Sequence, residues 1–190
     1  MYRGVKAFFD PAAALLLIVL LSPLLLIVAV SIRLESSGPV FFMQRRLGQS
    51  GRFFTILKFR TMRVGTPELA TDLIEEPCRY LTRIGGLLRR TSLDELPQLI
   101  NILRGEMSFV GPRPSLYNQY WLNEKRIGLG IVEAKPGLTG YAQVLGRDSI
   151  NDILKLEYDL FYVRNMSFCL DARILVQTFG SVIRGVNIKG

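Results

Sequence analysis

Residues 11–32 read PAAALLLIVLLSPLLLIVAVSI, a run of 22 positions with no charge, made almost wholly of Leu, Ile, Val and Ala. At about 1.5 Å rise per residue, such a run makes a helix of roughly 33 Å, close to the thickness of a bilayer's hydrocarbon core. It does not read as a cleaved signal, because it is long and continues into Arg33-Leu34-Glu35 with no small-residue cleavage site. Ser22-Pro23 falls at its middle, where proline lacks the ladder amide and crowds the preceding turn, so a kink or break is expected. Arg3 and Lys6 precede the run and a basic remainder follows it, so both flanks carry the charge of a cytoplasmic face. Two arrangements are open: a kinked single span, or a re-entrant helix-break-helix. The second needs the freed backbone satisfied in lipid, which the Ser22 hydroxyl can do by bonding back to a carbonyl.

Working outward, 190 residues allow one catalytic unit plus a membrane element. The balance of 24 Lys and Arg against 16 Asp and Glu gives +8, which suits phosphates, acidic headgroups or nucleic acid. Cys78 and Cys169 have neither disulfide-framework nor zinc spacing, which fits a reducing, cytoplasm-facing setting. Histidine is absent. That excludes Ser-His, Cys-His and His-metal chemistry and leaves carboxylates, Lys, Tyr, Ser, Thr and Cys as catalysts.

After the turn at Ser36-Ser37-Gly38-Pro39, residues 40–44 and 53–59 read as strands of a hairpin around Gly48-Gln49-Ser50-Gly51. Residues 65–77 read as a polar loop or short irregular helix. Residues 81–90 set Ile84, Leu87 and Leu88 against Arg83, Arg89 and Arg90, an amphipathic helix for an acidic membrane surface or for the core. Leu96, Leu99, Ile100 and Leu103 keep helical spacing, with Ser92-x-x-Glu95 matching a capping box at the start. Residues 105–114 and 136–140 read as turn-rich loops, and 171–184 as a last amphipathic helix. The expected class is α+β, mostly helical: a membrane anchor over 1–35, then a catalytic domain over 36–190 with a small hairpin or sheet and amphipathic interfacial helices.

The chain has no G-x-x-x-x-G-K-[ST], G-x-G-x-x-G, H-E-x-x-H or D-x-D signature. What remains is a set of short Arg- and acid-rich motifs: Lys58-Phe59-Arg60-Thr61-Met62, Leu93-Asp94-Glu95-Leu96-Pro97-Gln98, Gly111-Pro112-Arg113-Pro114, Gly146-Arg147 and Glu157-Tyr158-Asp159. An Asp94 at a helix start is favoured as an anion by the local dipole, and the free amides there attract a phosphate. A bare helix cap is the other reading of Asp94 and Glu95. Two prolines stiffen the turn that carries Arg113, whose planar fork matches phosphate oxygens, although a solvated surface role is open to it and to Arg60 and Arg147.

These residues resemble the small monotopic phosphoglycosyl transferases, the bacterial sugar transferases that begin assembly of undecaprenyl-linked glycans. The likeness runs through Ser22-Pro23, Lys58-Phe59-Arg60-Thr61-Met62, Leu93-Asp94-Glu95-Leu96-Pro97-Gln98-Leu99, Met107-Ser108-Phe109-Val110-Gly111-Pro112-Arg113-Pro114, Pro136-Gly137-Leu138-Thr139-Gly140, Gln143-Val144-Leu145-Gly146-Arg147 and Tyr158-Asp159. It implies that Asp94 attacks a UDP-sugar, expelling UMP and forming a covalent phosphosugar that undecaprenyl phosphate then takes. It further implies that Glu95, with Asp94, holds Mg²⁺, that Arg60, Thr61, Arg113 and Arg147 bind phosphate or nucleotide, and that Asp159 is a further site acid. It favours the re-entrant arrangement, with both ends and the site on the cytoplasmic face of a bacterial inner membrane. Downstream glycosyltransferases are implied partners, and a homodimer is left open. Lys135 stands where relatives commonly have Arg, and 117–132 match poorly, with no role assigned.

Two further readings compete: a non-catalytic basic adaptor on the membrane surface, and an enzyme acting on another lipid-linked phosphate. Nucleic acid is disfavoured, because the basic residues are scattered and no recognised motif is present.

Overall fold

The computed structural model describes residues 2–67, 79–146 and 150–184. The apolar run lies within one helix, α1 (Tyr2–Glu35), which passes through Pro11 and Pro23. The break expected at Ser22-Pro23 is therefore no interruption of helix. Proline at 23 removes only the amide that would reach the Val19 carbonyl, and the Ser22 hydroxyl donates to that same carbonyl at 2.8 Å.

One stripe of α1 is buried, through Ala14, Val28 and Ile32, while Phe8, Leu16, Val19, Leu20, Leu26 and Ile27 face outward. Both of its ends are tied to the body of the protein. At the start, the Lys6 ammonium donates to the Val110 carbonyl and to Asp171, and the Ser108 hydroxyl donates to Asp10 at 2.6 Å. At the end, the Glu35 carboxylate accepts from the amides of Arg83 and Ile84, two of the orphan donors that open the next helix.

That next helix, α2 (Arg83–Thr91), follows an antiparallel hairpin of β1 (Phe41–Leu47) and β2 (Phe53–Phe59). The expected turn at Gly48-Gln49-Ser50-Gly51 is present, with Ser50 and Gly51 at positive φ. Helix α2 turns Leu88 onto Val28, Ile32 and Phe59, so it packs on the core and on α1. Helix α3 (Gln98–Leu103) places Leu99 and Ile102 against Ala14 and Ile56. From α3, the fully buried Asn101 accepts from the Leu57 amide at 3.0 Å and donates to the Thr55 carbonyl at 2.8 Å. A side chain thus pairs the free edge of β2 as a third strand would.

The two segments read as turn-rich loops contain strands instead. β3 (Ser108–Val110) runs parallel to β4 (Gly137–Thr139), with Ser108 opposite Gly137 and Val110 opposite Thr139. Glycine makes the approach feasible: a Cβ on Gly137 would lie 2.1 Å from the Gly111 nitrogen, and one on Gly111 would lie 2.4 Å from the Lys135 carbonyl oxygen. The remaining helices are α4 (Tyr120–Gly128), α5 (Tyr141–Leu145), α6 (Asp152–Arg164) and α7 (Phe168–Arg184). Ile174 of α7 is fully buried beside Val110 and Tyr162, whereas Leu175, Val176 and Phe179 are exposed. Of the 65–77 loop, residues 68–77 lie outside the described residues.

Candidate functional site

Asp94 and Glu95 sit in a single 3₁₀ turn, Leu93–Glu95, between α2 and α3. The expected capping box does not form. Ser92 is in the left-handed region (φ 57°), closes α2 through its amide, and makes no side-chain cap. The N-cap position of α3 is Pro97, three residues beyond Asp94. The dyad is held instead by β2 in front and α3 behind, which Asn101 locks together.

Four cationic side chains act on the dyad among the described residues. Lys58 Nζ, from β2, donates to Glu95 Oε1 at 2.7 Å, and Arg113 Nη2 lies 3.5 Å from the same oxygen. Arg89 of α2, whose Nε donates to the Thr61 hydroxyl at 3.0 Å, draws on the charge of Asp94. Arg46 of β1 draws on Glu95 and is opposed by Arg113. Asp94 is only 8% exposed. Burial, and after it the Glu95 charge, push its carboxyl from the ordinary 3.8 up to about 6, against the pull of Lys58, Arg89 and Arg113. Asp94 does stand in the first turn of this short 3₁₀ helix, but burial outweighs the stabilisation of the anion expected there. A buried carboxylate made more basic by that burial, with cations around it, is equipped to attack an electrophile whose negative charge those cations absorb.

A family model described as bacterial sugar transferase matches residues 1–185. The chain belongs to that family. Its relatives include an uncharacterized sugar transferase, EpsL, of Bacillus subtilis, 43% identical over 184 residues that cover 97% of this chain and 90% of the relative. A UDP-N-acetylgalactosamine-undecaprenyl-phosphate N-acetylgalactosaminephosphotransferase of Aeromonas hydrophila is 36% identical over 193 residues, 99% of this chain and 46% of that protein. A UDP-glucose:undecaprenyl-phosphate glucose-1-phosphate transferase of Escherichia coli is 38% identical, with 93% of this chain and 39% of the relative covered. The chain thus spans less than half of these last two proteins.

Within this bacterial sugar transferase fold, the predicted site residues separate. Arg113 reaches the dyad, and Thr61 reaches it through Arg89. Arg60 serves elsewhere: its guanidinium donates to the Ser36 and Ser37 carbonyls and the Ser36 hydroxyl, at 2.8–2.9 Å, fixing the chain just after α1. Asp159 is almost fully buried and accepts from Arg126 at 2.6 Å. Arg126 lines the narrow space behind Pro112 and Pro114, so this pair backs the Arg113 turn. Arg147 lies outside the described residues.

Four residues with roles here were missed as site residues: Lys58, Arg46, Arg89 and Arg126. Lys58 had a signal, since hairpin register puts it on one face with Gln44 and Arg46, across from Phe42. Arg126 had none, its partner being 33 residues away.

The donor set also bears on a divalent cation. No group of three or more His, Cys, Asp or Glu side chains converges among the described residues. Two adjacent carboxylates nevertheless fit the Mg²⁺ mode in which water and substrate phosphate complete the shell, rather than an all-protein cage.

Proposed function

We propose that this chain transfers a sugar-1-phosphate from a UDP-sugar to undecaprenyl phosphate, with Asp94 as nucleophile. The observation that carries this is a buried carboxylate, its pKa raised by that burial, whose cationic surroundings outnumber the two acids they face among the described residues. The Asp94 carboxylate attacks the sugar-bearing phosphorus, and the bond from that phosphorus to the bridging oxygen breaks, releasing UMP. Lys58, Arg89 and Arg113 stabilise the charge that spreads over the phosphoryl oxygens. The phosphate of undecaprenyl phosphate then attacks the acyl phosphate, giving a polyprenyl diphosphate sugar and restoring Asp94. Asp94 and Glu95 would hold Mg²⁺, which spreads phosphoryl charge when bound. Glycosyltransferases that extend a lipid-linked sugar would act next.

The same reading makes residues 1–35 a membrane anchor and the remainder a cytoplasm-facing catalytic unit at a bacterial inner membrane. A straight helix of 34 residues is roughly 50 Å long, enough to cross a bilayer. What supports a re-entrant course is that Lys6 and Asp10 at one end and Glu35 at the other bind one and the same body. A spanning helix would carry its ends to opposite faces. The exposed Phe168, Val176 and Phe179 of α7 add an apolar surface suited to the headgroup boundary.

The test is a panel of UDP-sugars with undecaprenyl phosphate, read by UMP release, for the wild type and Asp94→Asn. Release by the wild type and its loss in a folded Asp94→Asn support the reading. Normal release by Asp94→Asn overturns the nucleophile. Cysteines placed at either end of α1 should label from one side only, and opposite-side labelling refutes the re-entrant course.

A further inference from the structure

Arg46 is half-buried, and its contacts reach beyond the dyad on which it acts. Side chains at 42, 44 and 46 share one face of β1, and the pairing of Phe42 with Lys58 puts Arg46 on the same face as the lysine that grips Glu95. Its Nη1 donates to the Pro114 carbonyl at 3.0 Å and its Nη2 to Gln44 Oε1 at 2.6 Å. The backbone repeats the link: the Leu47 amide donates to Ser115 at 3.0 Å and the Tyr117 amide to Arg45 at 3.3 Å. The Arg113 turn is thereby stapled to β1 immediately beyond its second proline.

The charge arrangement is the second observation. Arg46 and Arg113 oppose each other, and both lean on a Glu95 that Lys58 already holds. Burial first, and Arg113 second, push the Arg46 guanidinium well below its ordinary value, to about 9. The guanidinium keeps its proton, so its charge is held there against both. Its Nε is buried with no acceptor among the described residues. Two mutually repelling guanidiniums beside one carboxylate, of which only Arg113 is in ion-pair range, form an arrangement that an incoming polyanion relieves.

We propose that Arg46 is a positioning residue for nucleotide-diphosphate binding: it fixes the Arg113 turn at the dyad and adds a second guanidinium that the substrate diphosphate neutralises. This rests on the functional reading above. The test uses the full chain in lipid nanodiscs with Arg46→Met and Arg46→Lys, measuring the melting temperature with and without UDP and the KM for the UDP-sugar that the wild type turns over. Arg46→Met loses its hydrogen bonds to Pro114 and Gln44 along with one of two repelling charges, so its melting temperature without nucleotide should change little. Its stabilisation by UDP should fall below half, and KM should rise about tenfold, more than kcat falls. Arg46→Lys should lie between the two, a point charge replacing a fork. A lower melting temperature with UDP stabilisation and KM unchanged would make Arg46 a fold residue only and overturn the inference. If Arg46→Met does not fold, Arg46→Lys decides by the same two readouts. A wild type that neither binds UDP nor releases UMP overturns the functional reading itself, and this inference with it.

Discussion

Two of the buried acid-base clusters among the described residues follow opposite rules. Asp159 and Arg126 meet one to one at 2.6 Å, their side chains 2% and 7% exposed. Asp94 and Glu95 meet Lys58, Arg89, Arg113 and Arg46, and Arg113 is 40% exposed. In the first cluster charge matches charge: burial pushes Asp159 up while Arg126, and after it Lys155, pull it back, and the pair braces the Pro112 and Pro114 backbone from behind. Among the described residues the second holds more positive charge than its carboxylates match and keeps one arginine partly in solvent, an arrangement for a ligand that brings negative charge with it. The difference teaches that burial and a shifted carboxyl do not alone mark a site, since Asp159 has both. The count of partners, and access, decide.

That contrast can be broken at either cluster. The largest effect should come from Asp94→Asn, which removes the attacking oxygen while keeping shape: UMP release falls on the order of a thousandfold or more, with melting temperature intact. Arg126→Met should act on the fold instead. It strands the Asp159 charge and costs about 3–5 kcal/mol, read as a large drop in melting temperature, while KM for the nucleotide sugar in the surviving fraction stays put. Arg113→Lys keeps a charge but loses the planar fork, so kcat/KM should fall by about tenfold without a stability change.

The smallest effect is pH. Because the Asp94 carboxyl titrates at about 6, kcat/KM should be about half its plateau at pH 6 and fall about tenfold per further unit of acid. The sign for stability is opposite: the folded carboxyl binds its proton more tightly than the unfolded one, so ionising it lowers folding stability as pH rises from 3.8 to about 6. Asp94→Asn should abolish both dependences.

Much of the frame was legible beforehand because it rests on local chemistry. The apolar run marks α1, Ser22 satisfies the carbonyl that Pro23 frees, and a Gly-Gln-Ser-Gly turn closes the hairpin. Other features were hidden because their partners are distant. Strands β3 and β4 are three residues each, too short to show alternation, and pair in parallel across a gap that holds α4. Asn101 looks like a polar lapse on an apolar helix face until the β2 edge it pairs is known. The Ser92-x-x-Glu95 pattern misled because the left-handed backbone at Ser92 ends one helix rather than starting another. Among the site residues, the family resemblance pointed to Asp94, Glu95 and Arg113, but within Lys58-Phe59-Arg60 it drew attention to the arginine, and the lysine is what grips Glu95.

The central claim is that Asp94 carries the phosphosugar between two separate steps. Intact-protein mass measurement of the wild type with the UDP-sugar and no lipid acceptor tests this most directly. A gain of one phosphosugar, with about one equivalent of UMP released, mapped to the peptide containing Asp94 and chased off by undecaprenyl phosphate, is the predicted result. UMP released only when the lipid phosphate is also present, with no adduct on the protein, would contradict it and point to direct transfer between the two substrates.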